Sequence, residues 1–133
     1  MKLHHYGFAT KSIEKSLKEF ERIGYHALSE KIIDPIQKVE LLFINNENNH
    51  PIELIAPLDG NESPVSNILK KNGPILYHIC YEVENIEKSI AELKTKHFVI
   101  VVKPTPAIAF NMRKVCFLYN PHIGLIEILE NNG

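Results

Sequence analysis

The sequence predicts an α+β fold made of two βαβββ modules related by a pseudo-twofold axis. Three observations carry the prediction. "LHHYGFATKSIEKS" from Leu3 and "LYHICYEVENIEKS" from Leu76 spell one phrase twice, at an offset of 73 (76 minus 3). Each phrase opens on a strand-like run and passes into a helix-like one, where the apolar period changes from two to nearly four. Each copy also closes on an apolar strand holding one glutamate, in "PIELIAP" and "GLIEILE". A chain that repeats such a unit packs the copies as a pair, burying a face that neither buries alone. Each module then covers one sheet face with its helix and leaves the other curved and partly open.

Lys2 to Ala9 reads as the first strand. Ser12 caps a helix running to about Ile23, with Ile13, Leu17, Phe20 and Ile23 as its apolar stripe and Gly24 as its stop. "HALSEKIID" and "QKVELLFIN", split by Pro35, read as two strands, "NNENNH" as a turn and "PIELIAP" as the closing strand. In "SPVSNILKKNG" Ser63, Pro64 and Gly73 mark a short helix. The second copy follows with "ILYHICYEV" as a strand and a helix capped by Asn85, with Ile86, Ile90 and Leu93 on its stripe. "FVIVV" is a strand, "PTPAIAFN" a loop, and "RKVCFLY" and "GLIEILE" the last two strands. The alignment extends to Lys38-Val39 with Lys114-Val115, and to Ile52-Glu53 with Ile126-Glu127.

With 133 residues, one domain is expected over residues 1–133. It comprises a module at 1–57, a connector at 58–73 and a module at 74–133. The net charge of −1 gives no footprint for nucleic acid. No apolar run approaches ~18 residues, so no membrane span is expected. No signal-peptide pattern opens the chain, and a cytoplasmic location is the expectation. Cys80 and Cys116 both sit in apolar strand runs and read as buried thiols.

Strand alternation chooses the residues of the open faces. Tyr6 and Phe8 pack under the first helix, so His5 faces away; Ile52 and Leu54 do the same, so Glu53 joins His5. In the second module Ile79, Tyr81 and Val83 go under the helix, leaving His78, while Ile126 and Ile128 leave Glu127. A carboxylate amid apolar residues is costly unless it is paired or bound to metal. Two imidazoles and two carboxylates suit a six-coordinate divalent ion with two places open: Ni, Zn, Co, Mn or Fe. A lone histidine on a strand is more often structural; recurrence at matched positions makes His5, Glu53, His78 and Glu127 the expected metal ligands. His4 is expected to pack or lie at the surface. His26, His50, His97 and His122 are expected in solvent. Arg113 and Lys114 could hold an anionic group, but read better as a surface pair.

With "HHYGF", "IELIAP", "YHICYEV" and "GLIEILE" carrying His, Glu, His and Glu, nearly the whole chain resembles the vicinal oxygen chelate superfamily. That resemblance implies a glyoxalase-like fold, a curved mixed sheet around a metal cleft. The short bacterial glyoxalase I enzymes (lactoylglutathione lyases) share the connector pattern and "RKVxFL…IGLIE"; methylmalonyl-CoA epimerases share "HIxxEV" and the same connector. The first resemblance implies isomerisation of a hemithioacetal of methylglyoxal through an enediolate on the metal, with Ni or Zn favoured. Glu127 would move the proton, with Glu53 as ligand and second base. The second implies an enolate of a 2-methylmalonyl thioester, which needs two acid–base groups. In the epimerase pattern an acidic residue precedes the glutamine of the third strand, and here Ile36 precedes Gln37. The glyoxalase reading is therefore the first expectation and the epimerase the alternative. A non-enzymatic small-molecule binder is a further one. A thiol adduct or thioester substrate and a homodimer are the implied partners.

Overall fold

The computed structural model describes residues 1–58 and 62–131. They form nine strands and three α-helices: β1 (Lys2–Ala9), α1 (Ile13–Arg22), β2 (His26–Ala27), β3 (Ile32–Asp34), β4 (Val39–Asn45), β5 (Ile52–Pro57), α2 (Pro64–Asn72), β6 (Ile75–Val83), α3 (Ile86–Thr95), β7 (Val99–Ala107), β8 (Arg113–Asn120) and β9 (Gly124–Glu130). Asp59, Gly60 and Asn61 of the expected connector lie outside the described residues, as do Asn132 and Gly133. The chain divides into two compact units, one of His5–Tyr77 and one running on from His78 and including Met1–His4. Among the described residues no helix is long and apolar enough to cross a membrane.

In the first unit the strand order is β2-β4-β5-β1, with β3 also on β4. β1 and β5 are parallel, pairing Tyr6 with Ile52 and Gly7 with Glu53, whereas β4 runs antiparallel to β5. α1 starts where Ser12 accepts the Lys15 N–H at 3.2 Å, and Glu14 adds negative charge at the positive helix end. Ile13 packs with Leu42, Ile44, Ile52, Leu54 and Ala56, and Tyr6, Phe8, Leu17 and Phe20 lean on that cluster. Each side chain of this size, fully buried, contributes about 1.5–3 kcal/mol, and this holds the helix on the sheet. Ile23 does not complete the stripe. The helix ends at Arg22, the Ile23 N–H turns back to Phe20, and the side chain is exposed.

"HALSEKIID" is two strands, not one. Ala27 pairs with Ile44 and Ile32 with Leu41, so four residues face a gap of two on β4 and must bulge out. The turn after β3 is built on buried Asp34. Its Oδ1 accepts the Ile36 and Gln37 N–H groups at 3.0 and 3.1 Å, and its Oδ2 accepts Gln37 Nε2 at 3.0 Å. α2 is capped as expected: Ser63 accepts from Val65, Ser66 accepts the Ser63 N–H, and Gly73 follows at φ 69°.

The second unit has the order β6-β9-β8-β7. β6 and β9 are parallel; β8 is antiparallel to both β9 and β7. Asn85 caps α3 by accepting the Lys88 N–H at 2.9 Å. Ile86, Ile90 and Leu93 pack on Val83, Cys116, Leu118, Ile126 and Ile128. "PTPA" belongs to β7 and not to a loop, with Thr105 opposite Val115 and Pro106 opposite Lys114. Proline is tolerated because β7 is the last strand of this unit's sheet, where a missing N–H leaves no ladder bond unmade. Register shifts between Ile100 and Val102, and between Val102 and Thr105, bend the strand along the way. The loop proper is one 3-10 turn, Ile108–Phe110, followed by left-handed Asn111 and Met112.

Strand pairing also corrects the repeat. Phe43 lies opposite Glu53, and Phe117 opposite Glu127, an offset of 74 for both members (117 minus 43, 127 minus 53). Leu41 therefore corresponds to Val115 and Val39 to Arg113. The match of Lys38-Val39 with Lys114-Val115 is two residues out of register, because like letters recur along an apolar strand whereas pairing fixes the face.

Candidate functional site

Each unit carries one histidine and one glutamate on the sheet face turned away from its helix. In the first, β1 supplies His5 and β5 supplies Glu53, with His5 Nε2 3.2 Å from Glu53 Oε1. In the second, β6 supplies His78 and β9 supplies Glu127, with Nε2 again 3.2 Å from Oε1. Exposure is 0% for His5, 5% for Glu53, 4% for His78 and 4% for Glu127. The parallel register explains both contacts. Gly7 sits beside Glu53, and Cys80 beside Glu127. Each histidine lies two residues earlier on the same face, so it reaches the carboxylate past a small side chain.

These pairs fit a divalent ion. Metal–ligand bonds of about 2.1 Å meeting at a right angle place the two donor atoms about 3.0 Å apart. The observed 3.2 Å in both pairs is close to that separation. Imidazole and carboxylate are the donor types such an ion takes, and burial makes an ionised carboxylate expensive without a cation.

Two phenylalanines escaped the reading of the sequence. The ring of Phe43 stands perpendicular to that of His5, at 5.4 Å and 84°. Phe117 meets His78 in the same way, at 5.2 Å and 85°. The signal lay in "LLFIN" and "VCFLY", each placing a phenylalanine opposite the glutamate once the hairpin is in register.

The remaining candidates have other work. His4 packs edge-on against Phe110. His26, His50, His97 and His122 are exposed. Arg113 is committed within its unit: Nε donates to Phe110 O, Nη1 to Glu82 Oε2 at 3.2 Å and to Glu130 O, and the guanidinium lies over Phe110. Lys114 is 3.8 Å from Glu87. Cys80 and Cys116 are buried and not joined in a disulfide, and burial pushes the Cys116 thiol up to about 11. Exposed Ile36 follows the Asp34 turn, and neither acidic neighbour stands in for it. Both Asp34 oxygens are spent on Ile36 and Gln37, and Glu40 pairs with Lys31 at 3.4 Å.

A family model for the Glyoxalase/Bleomycin resistance protein/Dioxygenase superfamily matches residues 4–117. The chain belongs to that superfamily. Its curated relatives there include the mitochondrial methylmalonyl-CoA epimerase of Dictyostelium discoideum. The two are 33% identical over 132 residues, covering 97% of this chain and 78% of the relative. The ethylmalonyl-CoA/methylmalonyl-CoA epimerase of Cereibacter sphaeroides is 29% identical, over 89% and 87% of the two chains. Among solved structures, the hypothetical protein BH1468 of Bacillus halodurans superposes with a TM-score of 0.85 at 29% identity, covering 99% and 95%. The methylmalonyl-CoA epimerase of Mycobacterium tuberculosis gives 0.83 at 20% identity, covering 99% and 89%, a likeness of fold. The superfamily and its fold are those expected from the sequence. Within the superfamily, the relatives favour the epimerase, the alternative reading, over the glyoxalase I type placed first.

Proposed function

We propose that this superfamily member is a divalent-metal-dependent epimerase acting on a 2-methylmalonyl thioester of the coenzyme A type. The observation that carries the reading is the 33% identity to a methylmalonyl-CoA epimerase across 97% of the chain. The metal requirement is supported within each unit by a buried imidazole–carboxylate pair, His5 with Glu53 and His78 with Glu127.

Bound to these four side chains, a divalent ion would supply Lewis acidity toward the substrate oxygens on which charge develops as the C2 proton leaves. As ligands the histidines would offer imidazole nitrogens to the ion, and strand packing holds the two side chains in place. Epimerisation needs the C2–H bond broken on one face and a new C–H bond made on the other. The breaking bond's electron pair passes to the adjoining carbonyl, and the proton goes to a carboxylate. Glu127 is assigned that proton, and Glu53, protonated beforehand, is assigned delivery of a different proton to the opposite face. Ile36 has no proton to exchange, and Asp34 and Glu40 are engaged elsewhere, so the acid–base work falls to these two carboxylates.

Ile36 supports a second reading, glyoxalase-like isomerisation of a methylglyoxal hemithioacetal, in which protons are exchanged between adjacent carbons. One experiment separates the two. Purified protein loaded with Co2+ or Ni2+ is given one epimer of methylmalonyl-CoA in D2O, and separately methylglyoxal with glutathione. Deuterium entering C2 with formation of the other epimer supports the proposal. Thioester formation from methylglyoxal with no exchange in the first assay would sink it.

A further inference from the structure

We infer that Phe43 and Phe117 are positioning residues that fix the ring planes of His5 and His78 for metal binding. The inference rests on the reading that those histidines are ligands. Rotation of an imidazole about its last torsion is broad, with no steep staggered well. A ligand histidine on a strand therefore needs a neighbour to hold its plane. In both units that neighbour is a phenylalanine perpendicular to the imidazole, at 5.4 Å and 84° or 5.2 Å and 85°. Perpendicular packing is the arrangement the ring quadrupoles favour.

Core filling is the plainer explanation, and His4 with Phe110 is a perpendicular pair away from both glutamates. Two observations weigh against it here. Phe43 and Phe117 lie outside the clusters beneath the helices, to which Leu42 and Ile44, and Cys116 and Leu118, belong. Both also stand directly opposite the glutamate that meets the same histidine, Phe43 opposite Glu53 and Phe117 opposite Glu127. Each phenylalanine thus touches the imidazole from the strand next to its carboxylate partner, and does so in both units. Hydrogen-bonded groups that orient ligand histidines are typically worth roughly 10–100-fold in metal affinity, and a ring that holds the plane by packing is expected at the lower end of that range.

The test is cobalt binding to full-length protein stripped of metal, followed by calorimetry and by the visible spectrum of Co2+. Phe43→Leu and Phe117→Leu should each weaken Co2+ binding by roughly tenfold and alter its ligand-field bands. Phe→Tyr at the same positions, which keeps the ring, should restore both. Melting temperatures of the metal-free variants report folding; where leucine prevents folding, methionine takes its place. Wild-type affinity and spectrum in both ring-less variants would overturn the inference about the phenylalanines alone. Failure of wild-type protein to take up Co2+ would instead overturn the metal reading beneath it.

Discussion

His97 stands where Gly24 stands in the other module, directly after the residue that ends the helix, and both are left-handed, at φ 69° and 101°. Glycine takes this conformation freely, whereas a side chain pays for it. His97 is exposed, so its replacement forfeits no packing. His97→Gly should stabilise the fold by about 1 kcal/mol, part of the relief being offset by the freer unfolded chain. Gly24→Ala should cost a similar amount for backbone reasons alone, since an added Cβ meets nothing within 4 Å. Urea unfolding of the two variants checks both signs.

Asp34 makes the other sharp stability prediction. Its buried carboxylate accepts three hydrogen bonds that shape the turn into β4. Asp34→Ala leaves two backbone N–H groups to find new partners and should cost about 1–3 kcal/mol. Asp34→Asn, which keeps an accepting oxygen, should cost less. Equal losses in the two variants would show that the carboxylate's charge, not its geometry, matters most.

Cys116 sets a limit at high pH. Burial raises its thiol from 9.0 to about 11 in the folded protein. Between those values the unfolded chain releases this proton while the folded one keeps it, so the folded state holds more protons. Its contribution to stability is complete below pH 9 and falls as pH rises toward 11. Cys116→Ala should flatten the decline in melting temperature over that window. A thiol reagent at pH 8 should label the native protein slowly and unfolded protein at once.

On the proposed metal site, stripping the protein of divalent ions should destabilise it as well as silence it. An ion present at a hundred times its dissociation constant adds about 2.7 kcal/mol to stability. A chelator should therefore lower the melting temperature of wild type and barely move that of His78→Ala. Glu127→Gln should slow C2 deuterium exchange by about 10²–10⁴-fold. Full activity in Glu127→Gln, with loss in Glu53→Gln, would reverse the roles assigned to the two carboxylates.

Much of this was legible in the sequence because periodicity and caps are local. Ser12, Asn85 and Ser63 begin the helices where their side chains predict, and alternation along β1, β5, β6 and β9 put each histidine on the face of its glutamate. What was hidden depended on pairing. The bulge at Leu28–Lys31 exists because β4 offers too few opposite residues, which "HALSEKIID" alone does not reveal. The roles of Phe43 and Phe117 required the hairpin register, and the likeness of Lys38-Val39 to Lys114-Val115 pointed to the wrong one. Proline-rich "PTPA" mimicked a loop because proline's local signal is the same at a sheet edge.

That last feature bears on how the protein behaves in a crowded solution. A final strand of nine residues, five of them Val, Ile or Ala, is a template on which a stranger's strand could grow. Pro104 and Pro106 delete two of the hydrogen-bond donors such growth would use, and the two register shifts twist the remainder out of line. Replacing both prolines by threonine should leave the fold standing yet make the protein self-associate at high concentration, which light scattering would detect.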